Sequence, residues 1–190
     1  SISNRLKVDF QDVAQGLAGL GFRLVATRGT AVYLRQAGLE VETVWRISEG
    51  RQPDILGFMR SGDVDLVVNL PTGRRAQTDG AQMRRLAVEL SIPFITTITG
   101  ARAAIMAISD ALNEELHELA DAGCQAIQME EPQIHLLAAK GLTGDVLNPE
   151  FMVEVFNNTV KGLRDKTEIW CHTCWGNPAQ QRIFDAQQSY

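Results

Sequence analysis

Three observations predict a three-layer α/β protein built on a parallel sheet. Short apolar and β-branched runs alternate with helical periodicities from end to end. A strand feeds a Gly-containing turn into a helix at residues 26–30, and one long helix then joins the two parts of the chain without a Gly, Pro or polar spacer at the join. With 190 residues, 45% apolar and 22% charged, the chain has the composition of an ordinary globular protein with a full core. No apolar run reaches the ~18 residues of a membrane span. The opening SISNRLKVDF lacks the apolar centre of a signal peptide, so a cytoplasmic location and no membrane partner are expected.

In chain order, Ser1–Ser3 reads as the tail of a first strand, an odd stub for a strand that should be central. Helices are expected at Phe10–Leu20, Ala31–Ala37, Ile55–Arg60 and Gly80–Leu90, where apolar residues recur at helical spacing. Between them, β-branched runs predict strands at Arg23–Ala26, Val41–Ile47, Leu66–Asn69 and Phe94–Thr97. The joining helix is placed at Ala101–Ala122, about 33 Å long. Its stripe of Ile105, Ile108, Leu112, Leu116 and Leu119 recurs at intervals of 3, 4, 4 and 3. Neither Ser109 nor Asp110 is followed three residues later by Glu or Gln, which argues against a second helix start there. Beyond it come a strand Ala126–Glu130, a helix Pro149–Leu163, a strand Thr167–His172 and a helix from Pro178; both prolines follow an Asn cap. Right-handed crossovers then give a Rossmann- or flavodoxin-like order 3-2-1-4-5-6-7, counting the Ser1–Ser3 stub as strand 1. Segments 1–108 and 109–190 would form one continuous domain through the shared helix 101–122.

Charge changes sharply along the chain. Residues 1–109 hold 13 Lys and Arg against 10 Asp and Glu, residues 110–190 hold 5 against 13, and the total is −5. All cysteines (124, 171, 174) and all histidines (117, 135, 172) lie in the second part. The acidic balance and the lack of a basic, aromatic-interleaved patch exclude a nucleic-acid role. Three cysteines do not make a disulfide framework.

The motif Ala26-Thr27-Arg28-Gly29-Thr30 can present helix N–H groups, the positive end of the helix dipole and two hydroxyls at one spot, which is an anion site; it can equally be a structural turn. Lys7 stands as the only Lys beside 12 Arg in residues 1–109, as if a compact ammonium were wanted there. Arg74-Arg75 and Arg84-Arg85 could assist an anionic ligand, although a solvated helix face is the favoured reading.

The stretches ATRGTAVYLRQAG and ISEGRQPDILGFMRSGDVDLVVNLPTGRRAQTDGAQMRRLAVELSIPFITTITGA resemble the methylglyoxal-synthase-like domain, most closely the C-terminal allosteric domain of the carbamoyl phosphate synthetase large subunit. That resemblance implies a phosphate pocket of Lys7, Thr27, Gly29 and Thr30, helped by Ser48 and Gly50. Asn69, Thr72 and Asp79 would lie near the rest of an effector such as UMP or IMP. The enzyme branch of that superfamily uses a carboxylate just after the third strand. Gln52 stands about there, and an amide is no general base, so binding without turnover is expected.

AISDALNEELHELADAGCQAIQMEEPQI and EIWCHTCWGN resemble the catalytic barrel of cobalamin-independent methionine synthase. This implies a substrate carboxylate at Glu130 or Glu131 and two zinc ligands, His172 and Cys174. Residues i and i+2 of a strand face one side, which supports the pairing of those two. Further ligands would come from later barrel strands, so the zinc site is incomplete and zinc is not expected to bind. A CxxC redox reading of Cys171 and Cys174 is disfavoured, because Cys171 lies within a strand rather than at a helix N-terminus. The chain thus reads as a natural or engineered chimera of a regulatory domain and a fragment of a TIM barrel. The alternatives are a zinc-dependent thiol methyltransferase-like fragment completed by a partner chain, and a designed fold with no ligand. An apolar sheet edge at Ile169–Cys174 invites self-association.

Overall fold

The computed structural model of the chain describes residues 2–70, 74–130 and 149–173. Its helices are α1 (Lys7–Gly19), α2 (Arg28–Gln36), α3 (Ile55–Arg60), α4 (Arg74–Glu89), α5 (Ile98–Asp121) and α6 (Pro149–Thr159). The strands are β1 (Leu24–Thr27), β2 (Val41–Val44), β3 (Val67–Val68), β4 (Phe94–Ile95), β5 (Ala126–Glu130) and β6 (Glu168–His172). Every strand pair is parallel and helices connect successive strands, so the α/β class stands. The expected helix from Pro178 lies outside the described residues.

The ladders observed make up part of the expected order 3-2-1-4-5-6-7. The strands form three two-stranded ladders, β1 with β2, β3 with β4 and β5 with β6. The stub adds one parallel bridge, Ile2 to Leu70, beside β3. Among the described residues no ladder joins the stub to β1 or β4 to β5. The cause of the first gap is the shortness of the stub, which turns at Asn4–Leu6 into α1. The cause of the second is Thr97: expected as the end of a strand, it instead caps α5, its hydroxyl accepting from the Gly100 amide at 3.0 Å. The chain therefore leaves β4 after Ile95.

Other boundaries moved for equally local reasons. Helix α4 starts at Arg74 rather than Gly80, since Arg74-Arg75-Ala76-Gln77 carries strong helix formers and no breaker. Helix α6 ends at Thr159, and Gly162, at φ 74°, takes the left-handed conformation that opens the short turn Leu163–Asp165. β2 ends at Val44, after which Trp45 pairs across to Asp54. Asp54 caps α3 through the Gly57 amide at 2.7 Å.

Along α5 the buried residues are Ala101, Ile105, Ser109, Leu116 and Ala120, while Leu119, expected in the stripe, is 51% exposed. The helix has turned its buried face toward Ser109 because that hydroxyl is satisfied there. It donates to the Met106 carbonyl and accepts from Asn158 of α6 at 2.8 Å. Asn113 and His117, one and two turns on, reach the backbone of Thr159 and Lys161.

The main core holds Phe10, Val13, Ala14 and Leu17 of α1, Ala101 and Ile105 of α5, and Phe151 and Val155 of α6. A Cβ at Gly16 would stand 3.1 Å from Ile105 and 3.3 Å from Phe151, so glycine lets three helices approach at this point. Helix α1 is covered on every side, with Phe10 to Leu17 all buried. Two amides go under with it. Gln11 and Gln15 are 0% and 1% exposed, and neither end of either amide has a hydrogen-bond partner among the described residues. Burying such groups unpaired costs about 1–3 kcal/mol, so Gln15→Leu is expected to raise stability by about 1–2 kcal/mol in urea unfolding. An unchanged or lower midpoint would show that the amide is satisfied in solution.

Candidate functional site

Parallel strands end with their C-termini on one side of a sheet, and the helices that follow start there. Thr27 ends β1 and stands as N-cap of α2, yet its hydroxyl does not cap and has no partner among the described residues, although the residue is only 2% exposed. Arg28, Gly29 and Thr30, expected as a turn, are the first turn of α2 itself, where helix N–H groups lack intrahelical partners. Gly29 has no positive φ; what it leaves is space. A Cβ there would lie 3.8 Å from Lys7 Nζ and 3.9 Å from an Arg46 guanidinium nitrogen.

The stub ties β1 to β3 at this end. The Ile2 amide donates to Thr30 Oγ1 at 3.4 Å and the Ser3 amide to the Leu70 carbonyl at 3.1 Å. Asn69, 1% exposed, lies beside Leu70, and among the described residues its side-chain nitrogen is unpartnered, as is the Ser3 hydroxyl. The short turn Asn4–Leu6 then sets Lys7 as the first residue of α1, with Nζ 2.6 Å from the Gly29 carbonyl and 5.7 Å from the centre of the Tyr33 ring. Burial, and after it the Arg46 guanidinium, pushes the Lys7 ammonium below its ordinary pKa. Two cations held beside one helix N-terminus, over buried hydroxyl and amide groups, are suited to an anion.

The Ser48 hydroxyl donates to the Asp79 carboxylate at 3.3 Å at an exposed position. Gly50, at φ 62°, closes the turn Ile47–Glu49 and is exposed. Thr72 lies outside the described residues. Arg84 and Arg85 are exposed on α4, in keeping with a solvated face. Gln52 accepts from the Asp54 amide at 3.2 Å. Sequence reading missed Arg46 and Ser3. Arg46 could have been found as the cation closing the strand before Ser48; a lone Ser in a three-residue stub carries no such signal. The larger cavities, of about 590 and 660 Å³, lie away from this cluster.

In the second part, β5 and β6 pair Glu130 with His172, whose Nδ1 is 3.7 Å from the carboxylate. Glu131 and Cys174 lie outside the described residues. Zinc sites take three or four His, Cys or carboxylate ligands. Here one imidazole and one carboxylate meet, and no group of three such side chains converges among the described residues. No helix of the described residues is long and apolar enough to cross a membrane.

Comparison with known proteins finds two different families along the chain. Residues 9–96 match the MGS-like domain, and residues 90–186 match the cobalamin-independent synthase catalytic domain. The C-terminal section of the carbamoyl phosphate synthase large chain of Methanopyrus kandleri is 48% identical over 109 residues, 57% of this chain and 20% of that protein. The corresponding section from Methanocaldococcus jannaschii is 45% identical over 116 residues, 61% of this chain and 19% of that protein. The Rubrobacter xylanophilus carbamoyl phosphate synthase large chain is 42% identical over 124 residues, 64% of this chain and 12% of that protein. The chain thus spans a fifth or less of the length of these relatives.

Proposed function

We propose an effector-binding function for this chain, which belongs over residues 9–96 to the MGS-like domain family and over residues 90–186 to the cobalamin-independent synthase catalytic domain family. Its ligand is a small phosphorylated metabolite or nucleotide, UMP or IMP being the nearest candidates. The observation that carries this is the convergence of Lys7 and Arg46 beside Gly29 over the unpartnered Thr27 hydroxyl. The phosphate would take the N–H groups at the start of α2 and the two cations, with Thr27, Thr30 and Ser3 supplying hydroxyls. Asn69, Ser48 and Asp79 would meet the remainder of the ligand. No turnover is assigned, since the carboxylate position of the enzymes is filled by Gln52, an amide already bound to the Asp54 backbone. The two segments are read as one folding unit of chimeric ancestry, because α6 of the second packs on α1 of the first. Calorimetric titration with inorganic phosphate, UMP and IMP tests the function. Heat with none of the three would sink it.

The Lys7 ammonium supplies a pH test. Its pKa is lowered in the free protein, and a bound phosphate dianion would raise it again, so binding takes up a proton. UMP affinity is therefore expected to fall as pH rises through the lowered Lys7 pKa toward 10.5. For the free protein the sign is the reverse. The unfolded chain holds the Lys7 proton more tightly, so stability rises across that window. A Lys7→Met variant should lose both slopes, and a UMP affinity independent of pH over this window would count against Lys7 at the phosphate.

A further inference from the structure

We propose that Lys7 is an acylation site: its amine takes the acyl group of a small acyl phosphate docked at the start of α2, and the modification switches the anion site off. This rests on the anion reading of that site. The geometry sets a nucleophile and a holder for the leaving group around one spot. Where a side chain would begin at Gly29, Lys7 Nζ stands 3.8 Å away and an Arg46 guanidinium nitrogen 3.9 Å. Arg28, Gly29 and Thr30 form the first turn of α2, whose N–H groups lack intrahelical partners. The Thr27 hydroxyl is buried at the same end without a partner among the described residues. A phosphate taken by Arg46 and these donors brings an acyl group bonded to it toward Nζ. An acyl phosphate fits both halves of the arrangement, since the group the site holds is also the group that leaves.

Lysine attacks as the free amine. Burial, and after it Arg46, pushes the Lys7 ammonium below its ordinary pKa, which enlarges the amine fraction at neutral pH. The new N–C bond forms as the carbonyl carbon's bond to the bridging oxygen breaks. That electron pair leaves with the phosphate, the amine's proton passes to it, and hydrogen phosphate departs. Arg46 and the helix N–H groups hold the charge that builds on the phosphate as it leaves. The Gly29 carbonyl, 2.6 Å from Nζ, accepts an N–H as positive charge develops on the nitrogen. The product is a neutral amide, so the site loses one of its two cations. The other described lysines lack this setting. Lys166 is held by the Asp121 carboxylate at 2.7 and 2.9 Å, and Lys161 lies exposed just past α6.

The test treats the full chain with acetyl phosphate at neutral pH and follows each lysine by peptide mass spectrometry, with calorimetric titration of inorganic phosphate alongside. Lys7 is expected to be acetylated about tenfold or more faster than Lys161 and Lys166. Inorganic phosphate should suppress the Lys7 reaction and leave the other two unchanged. Acetic anhydride, which acetylates without a phosphate to dock, should lose most of the preference, and Arg46→Gln should lose most of it with acetyl phosphate. The acetylated protein should bind inorganic phosphate about tenfold or more weakly, as expected for loss of a charged hydrogen-bond donor. Phosphate heat without any preference for Lys7 overturns the acylation and leaves the anion site standing. No phosphate heat together with no phosphate protection removes the site, and the acylation with it. A preference that acetic anhydride reproduces also overturns the proposal, since it marks a reactive amine that needs no docked phosphate.

Discussion

Lys7→Ala is expected to weaken phosphate and UMP binding by between about tenfold and a hundredfold while leaving the fold intact. The magnitude follows from a hydrogen bond to a charged group, worth about 1.5–3 kcal/mol, with about 1.4 kcal/mol per tenfold in affinity. Stability should not suffer, because the ammonium is partly desolvated and shares its surroundings with Arg46. In the free protein it donates to the Gly29 carbonyl, at the open start of α2. Lys7→Arg should recover only part of the affinity. Its planar fork is longer than the ammonium and would crowd Arg46 in the space left by Gly29. The measurement is calorimetric titration with urea unfolding alongside. Full affinity in a folded Lys7→Ala protein would remove Lys7 from the site and leave the anion to the helix N-terminus and Arg46.

How much of this site was legible in the sequence depends on where each residue's partners come from. Thr27, Gly29 and Thr30 lie in one local motif, and the strand-to-helix step they make is a short-range event that their order alone specifies. Lys7 was legible through the family resemblance and its isolation among arginines. That it starts a helix depends on the Asn4–Leu6 turn, which has no capping side chain to announce it. Arg46 reaches the site because β2 lies beside β1 with Thr27 opposite Val44, and such a pairing is set by the register of two strands rather than by either one. The fold shows the same division. The alternation of strands and helices follows from local periodicity, whereas the sheet order rests on pairings between distant strands, to which the stub adds a bridge from Ile2 to Leu70. On α5, Leu119 fitted the periodic stripe, but Ser109 was drawn inward by Asn158, a partner 49 residues away.

Ile105→Ala and Phe151→Ala are each expected to cost about 3 kcal/mol, and together less than their sum. Both side chains flank the same glycine on α1, and Ile105 is fully buried. Truncation to Ala removes several buried carbons and leaves a cavity, for which about 2–5 kcal/mol is usual. The sum falls short because the space opened by one change relieves the packing that the other would lose, and residues in contact couple by about 0.5–3 kcal/mol. The pair is informative because Ile105 lies on α5 and Phe151 on α6, and both enter one core with α1. If the two segments are one cooperative unit, near-ultraviolet circular dichroism and tryptophan fluorescence should show the same shifted transition. Trp45 reports the first segment and Trp170, on β6, the second. Asp12 and Arg102, paired on the first segment's helices, hold the guanidinium 5.3 Å from the Phe151 ring centre, which adds a contact that Phe151→Ala also removes. Independent units would behave differently: Phe151→Ala would shift the Trp170 transition alone, the two costs would add, and α5 would be a tether rather than a shared element of the core.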